Sequence, residues 1–207
     1  LRVYCDGRRL GIRATIELFC QALEAVAYAH SLLILHRDIK PGNVLVNREG
    51  QVKLLDFGLG KLMNVDALLE GDDMTRVGGP GYTPRYAPPE QMTGGMMSTA
   101  SDVYSLGVTL YEILTGTQLD LSQRYMRPSE LLAADGSRSN LSREVRGDLD
   151  SIIAKAVSDR PQDRYTNAGA MLDDLHRYLN HEPVTAQPDT TLYRAGKFVR
   201  RHTLAVG

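Results

Sequence analysis

The 207 residues contain no tryptophan, only two cysteines and only three phenylalanines. Cys5 and Cys20 have neither CxxC spacing nor a histidine cluster around them, so no disulfide framework and no zinc site is expected, and a reducing compartment suits them. No excess of one charge exists either: 24 Lys and Arg stand against 25 Asp and Glu. That balance offers no basic field for a nucleic-acid backbone, which excludes nucleic acid as the main partner. No apolar run approaches the roughly 18 residues a membrane-spanning helix needs. The chain opens at Leu1 in ordinary globular sequence, without a charged and then apolar leader, as expected of a piece of something longer. There is no internal repeat. What is abundant is apolar side chain, 43% of the total, enough to bury a substantial core.

Periodicity organises much of the rest. Ile16, Phe19, Leu23, Val26 and Ala27 recur at helical spacing and predict a helix over residues 14–30 with one buried stripe. Residues 32–35, 44–46 and 52–55 read as short apolar strands, the last two joined through Asn47-Arg48-Glu49-Gly50 as a hairpin. Residues 57–97 hold eight glycines and four prolines with little periodicity and read as a long irregular segment, of the kind that is usually functional. Thr99-Ala100-Ser101-Asp102 has capping-box spacing and opens a helix that is apolar on most sides, hence central. Residues 119–146 are poorly periodic, with a short helix expected near 129–134. Residues 149–157 and 168–179 predict two amphipathic helices, separated by Ser158-Asp159-Arg160-Pro161, whose proline cannot continue the first. The fold class expected is mostly α (α+β), helical with short β-hairpins.

The chemistry concentrates in His36-Arg37-Asp38-Ile39-Lys40-Pro41-Gly42-Asn43, followed thirteen residues after Asn43 by Asp56-Phe57-Gly58. A lone His-Arg-Asp is compatible with a surface salt-bridge cluster, and a lone Asp-Phe-Gly with an ordinary turn. In this order and spacing, with Lys40 and Asn43 at fixed offsets, they resemble the catalytic loop and magnesium motif of the eukaryotic-type (Hanks-type) serine/threonine protein kinases. The wording is most similar to bacterial, membrane-associated members. The resemblance covers nearly the whole chain, from just after the hinge between the lobes through the last helix of the larger lobe. It implies the C-terminal lobe of a catalytic domain over residues 1–182, with the N-lobe absent, and a basic juxtamembrane-like tail over 183–207.

The resemblance also implies roles. Asp38 would orient or accept the proton of the attacking hydroxyl, and Lys40 would place a cation on the γ-phosphate of ATP. A lysine there is the serine/threonine pattern. Asn43 and Asp56 would hold Mg²⁺ (or Mn²⁺) with the hard oxygen ligands it prefers. Phe57 would pack inward and Gly58 would turn the chain behind the metal ligand. Thr83 to Glu90 resembles the substrate-docking segment, in which Thr83 contacts the catalytic aspartate and lysine and Glu90 pairs inside the lobe with Arg164. Asp102 would accept hydrogen bonds from the catalytic-loop backbone, or meet its helix dipole, or both. Arg37 beside Asp38 suits a phosphate-ordered activation loop; Thr75, next to Arg76, is the candidate hydroxyl, with a solvated loop threonine as the alternative.

Two departures touch no catalytic group: Pro88 replaces the alanine of Ala-Pro-Glu, and Tyr104 stands where many kinases carry tryptophan. No glycine-rich phosphate loop, strand lysine or helix glutamate precedes the catalytic loop, so the 207 residues alone are expected to bind ATP poorly. The partners expected are proteins with Ser/Thr acceptors, with autophosphorylation and homodimerisation. A pseudokinase and a small-molecule phosphotransferase are the competing readings; Thr83 to Glu90 and Arg164 favour a protein substrate. Arg194, Lys197, Arg200 and Arg201 carry four positive charges without an acid before Leu204-Ala205-Val206-Gly207. This fits a cytoplasmic location at the membrane face, with an anchor following residue 207, as well as it fits a solvated helix end.

Overall fold

Burial of two apolar helices against each other sets the architecture. The computed structural model describes residues 1–56, 83–120, 125–188 and 190–203; Phe57, Gly58, Thr75, Arg76 and residues 204–207 lie outside them. After a short helix α1 (Arg2–Arg8), the stripe of Ile16, Phe19, Leu23 and Val26 lies fully buried on α2 (Ile12–Ser31). The hairpin follows, β1 (Val44–Val46) antiparallel to β2 (Val52–Leu54), with Leu45 opposite Lys53. Its turn closes on itself: Gly50, at φ 80°, donates to Asn47 O, and Asn47 Oδ1 accepts from the Gln51 amide. The hairpin is tied to α2 through Gln21, whose Oε1 accepts from the Val52 amide.

Past the short α3 (Pro89–Met92), α4 (Thr99–Thr115) is buried along its length, as its all-round apolar sequence requires. Its cap lies one residue ahead of the expected Thr99: Ser98 is the N-cap, and its amide donates to Ser101 Oγ at 3.0 Å. Then come α5 (Pro128–Ala134), α6 (Ser139–Val145), α7 (Asp148–Ala156), α8 (Ala168–Leu179) and α9 (Thr191–Thr203). α4 sits in the middle, in contact with α2, α5, α7 and α8, while α2 also packs on α8. The α4–α7 contact is so close that it requires glycine: a Cβ on Gly107 would come within 2.7 Å of the Ala156 Cβ and 2.9 Å of Val157 Cγ1.

One expected strand is absent. Residues 32–35 form no ladder because their amides close α2 instead: Leu33 donates to His30 O and Ile34 donates to Ala29 O. This is the Schellman arrangement, with Leu33 in the left-handed region at φ 60°. An apolar run of this length does not by itself distinguish strand from helix closure. α1, α3 and α6 were not expected as elements, and α9 only as a solvated helix end; α1 and α6 are seven residues each, too short to show a period.

The chain beyond residue 182 is held against the helices. Asp174 on α8 is fully buried and accepts from the Thr185 and Ala186 amides, the Thr185 hydroxyl and Tyr165 OH, all at 2.8–2.9 Å. Among the described residues no helix is long and apolar enough to cross a membrane.

Replacing Gly107 with alanine should destabilise the protein by about 1–3 kcal/mol, because the added methyl overpacks the α4–α7 crossing. Urea denaturation measures it, and an unchanged midpoint would mean that the two helices can separate at no cost.

Candidate active site

The loop between α2 and β1 carries the candidate residues, and a buried carboxylate fixes its path. Asp102, 1% exposed in the first turn of α4, accepts the His36 amide on Oδ2 and the Arg37 amide on Oδ1, both at 2.8 Å. Its Oδ2 also lies 2.9 Å from His30 Nε2. Arg37 is in the left-handed region at φ 68°, which disfavours a residue with a Cβ, and its carbonyl accepts from Gln91 Nε2 at 3.1 Å. The peptide groups on both sides of this strained residue are therefore pinned from outside the loop.

His36 links the loop to the hairpin. Its side chain is buried, Nε2 lies 3.0 Å from Leu55 O, and Nδ1 lies 3.4 Å from the Asp38 amide. That pattern assigns the proton to Nε2 and leaves Nδ1 as acceptor. Burial pushes its pKa below the ordinary histidine value, although Asp102 and the Leu55 carbonyl pull the other way, so the ring is neutral at pH 7.

Four of the expected residues converge. Lys40 Nζ donates to Asp38 Oδ2 at 2.7 Å and to Thr83 Oγ1 at 2.8 Å; the Thr83 amide donates to Asp38 Oδ1 at 3.0 Å. Asn43 Nδ2 donates to the Asp38 carbonyl at 2.9 Å and to its Oδ2 at 3.3 Å. Partial burial alone would raise the Asp38 carboxyl, but the Lys40 ammonium and the Thr83 amide and hydroxyl outweigh it and hold the group below the ordinary carboxylate range. Asp38 is thus ionised at neutral pH, with a cation beside it.

Asp56 reaches the same end of the hairpin by backbone pairing. Leu55, the residue before it, donates to Asn43 O at 2.8 Å and accepts from His36 Nε2, and Asp56 itself turns at φ 55° with an exposed side chain. Phe57, Gly58 and Thr75 lie outside the described residues.

Glu90 and Arg164 form the second anchor. Arg164, whose side chain is 0% exposed, grips Glu90 through Nη1–Oε1 at 2.7 Å and Nη2–Oε2 at 2.9 Å. Its remaining donors go to the Ser158, Ala100 and Asp159 carbonyls, so the guanidinium is saturated. It also stacks over the Tyr104 ring at 4.8 Å, which gives the residue in the tryptophan position a direct contact with the pair. Ser101 Oγ completes the carboxylate at 2.8 Å.

Several contributing side chains were not singled out by sequence reasoning. His30 supports Asp102, and Gln91 holds Arg37. Glu112 on α4 accepts Tyr86 OH at 2.7 Å and Arg2 Nη1 at 2.8 Å, fixing the turn after Thr83. A carboxylate inside the apolar α4 run was the one sequence signal of this last contact.

Comparison with known proteins matches residues 4–181 to the protein kinase domain model. The chain is 33% identical over 200 residues to a probable serine/threonine-protein kinase of Streptomyces coelicolor, covering 93% of this chain and 28% of that protein. It is 33% identical over 191 residues to the serine/threonine-protein kinase PknB of Mycobacterium tuberculosis, covering 89% of this chain and 29% of that protein. The chain therefore spans less than a third of the length of these relatives. Among solved structures, the Mycobacterium tuberculosis PknI kinase domain (C20A mutant) superposes with a TM-score of 0.57 at 20% identity, over 82% of this chain and 56% of that one. That likeness concerns the fold.

Arg164→Ala should cost about 3–5 kcal/mol, since it leaves a partly buried carboxylate unpaired, and a double-mutant cycle with Glu90→Gln should show strong coupling. Burial opposes ionisation of Glu90, but Arg164 and Ser101 hold its carboxyl below the ordinary value of 4.5. A depressed folded pKa gives stability that is complete above the unfolded value and is lost as pH falls through the folded one. The stability difference between wild type and Glu90→Gln should therefore be constant above about pH 5.5 and shrink below 4.5. A difference independent of pH down to acid unfolding would sink the assignment.

Proposed function

Because the chain belongs to the protein kinase domain family, we propose that it supplies the catalytic-loop lobe of a serine/threonine protein kinase that transfers the γ-phosphate of ATP to Ser/Thr hydroxyls of proteins. One observation carries this reading: an ionised Asp38 held between a lysine ammonium and the Thr83 amide. Phosphoryl transfer needs alignment of the hydroxyl and neutralisation of developing charge more than covalent help. Asp38 orients the acceptor hydroxyl and takes its proton; Lys40, within reach of both Asp38 and Thr83, supplies the mobile cation. Thr83 docks the substrate backbone beside them.

The residues present fit a magnesium site. Both bonds that Asn43 makes through its amide nitrogen go to Asp38, which leaves Oδ1 for a cation, and the Asp56 carboxylate is exposed at the neighbouring position. Two oxygen ligands, with phosphate oxygens and water completing the shell, suit the preference of Mg²⁺ for sparse protein ligation. When bound, Mg²⁺ with ATP supplies charge neutralisation and the transferable phosphoryl group, and Asn43 and Asp56 would hold the metal.

The lobe provides one wall of a nucleotide site whose other wall requires a glycine-rich loop and a strand lysine, which the 207 residues do not contain. The same reading gives Arg37 a phosphorylated Thr75 as partner in the active state, through autophosphorylation. It also places the basic tail, from Arg194 to Arg201, beside the cytoplasmic face of a membrane.

In the complete parent protein, Asp38→Asn should lower ATP–Mg²⁺ autophosphorylation by about a hundredfold to ten-thousandfold. Equal phosphate incorporation by wild type and variant would instead favour a pseudokinase. The 207-residue chain by itself should show negligible transfer, and measurable turnover would remove the two-wall argument. Phosphopeptide mapping of fully active protein should find Thr75 modified; unmodified Thr75 there would refute its role.

A further inference from the structure

Residues 183–203 follow the stretch matched by the kinase domain, yet buried aspartates on two helices hold them to the lobe. Asp148, at the start of α7, accepts Tyr193 OH at 2.8 Å and forms an ion pair with Lys197, the two side chains 9% and 11% exposed. Docked in this way, α9 closes one side of a cleft of about 720 Å³. Its other walls are the α6–α7 junction and the ends of α2 and α8. None of the catalytic residues lines it. A volume of this order accommodates a small ligand or a headgroup.

The electrostatics of the cleft are uneven. Arg13, Arg143, Arg146 and Lys197 line it against two carboxylates, Glu144 and Asp148. Arg13 is committed to the Leu179 carbonyl and to Glu17, and Lys197 to Asp148. The guanidiniums of Arg143, in the last turn of α6, and of Arg146, its C-cap, have no hydrogen bond or ion pair among the described residues. Two unengaged guanidiniums, three positions apart, therefore face one unpaired carboxylate, that of Glu144. A guanidinium presents paired donors that match two oxygens of a phosphate, a geometry that a carbonyl or an amide does not reproduce.

We propose that this cleft binds a phosphate-bearing group, gripped by Arg143 and Arg146 and enclosed by the docked α9. The shared chemistry is a phosphomonoester or diphosphate, which a soluble phosphorylated compound or a lipid headgroup could each present. This inference does not depend on the kinase assignment.

Two arms test it on the full chain without Mg²⁺, at about 0.15 M salt so that diffuse attraction is screened. Inorganic pyrophosphate is titrated calorimetrically, and vesicles of phosphatidate in phosphatidylcholine are co-sedimented. Wild type should bind in at least one arm, and the exposed double substitution Arg143→Gln/Arg146→Gln should weaken that binding by roughly tenfold or more. Loss in the pyrophosphate arm identifies a soluble ligand, and loss confined to the vesicle arm identifies a headgroup. Lys40→Ala serves as control, because pyrophosphate held at the catalytic cation would be lost there and kept in the double variant. That pattern, equal binding by wild type and double variant, or binding in neither arm overturns the proposal. Should the double variant melt early, the single substitutions, each expected to weaken binding in part, decide instead.

Discussion

The carboxylate of Asp102 organises the candidate site. It sits in the first turn of a buried helix, far from the loop in sequence, and binds two successive loop amides together with the His30 ring. The peptide it captures belongs to Arg37, whose left-handed backbone would otherwise relax to a commoner conformation. With Arg37 held on its amide by Asp102 and on its carbonyl by Gln91, the direction of the next residue, Asp38, follows from covalent geometry. A buried helix thus constrains the loop that carries the Asp38 carboxylate. This is the arrangement in which a strained residue survives: the surroundings supply more constraints than the backbone has freedom.

The same economy governs the other buried charges. Arg164 places all its donors, Asp174 accepts from backbone and hydroxyls alike, and Asp148 neutralises Lys197. Buried pairs seldom add net stability over apolar packing, but a broken one is severely unfavourable. Each therefore selects a single register: Glu90 with Arg164 locks the end of residues 83–90 to the loop before α8, and Asp174 locks the chain past residue 182 to α8.

Much of this was legible in order and spacing. The α2 stripe, the hairpin with its Asn47 to Gly50 turn, and the α8 boundaries all follow from periods and turn residues acting over a few positions. The resemblance of His36 to Asn43 and Asp56 to Gly58 to a kinase's loops placed the chemistry on residues that the fold brings together, apart from the two outside its described part. The failures were equally local in origin. Residues 32–35 are apolar and short, and only the closure of α2 decides that their amides turn back instead of pairing. α6 has too few residues to show a period. The docking of α9 depends on Asp148, and that of residues 185–186 on Asp174, which in sequence look like ordinary solvated carboxylates.

By itself the sequence determined which chemical groups exist and at what spacing: an aspartate, a lysine, an asparagine and a second aspartate on either side of a hairpin, and helices whose apolar faces must meet. Such patterns are local, set by the geometry of one turn or one strand. Tertiary structure alone decided that Arg164 spends its remaining donors on backbone carbonyls such as that of Ala100, that Gln91 pins Arg37, and that α9 encloses a basic cleft. These pair residues 64, 54 and 49 positions apart, and their contact depends on the path of the whole chain. The physical reason is that hydrogen bonds and ion pairs act over a few ångströms, so a distant partner is chosen only after burial of the apolar faces has fixed which segments lie side by side.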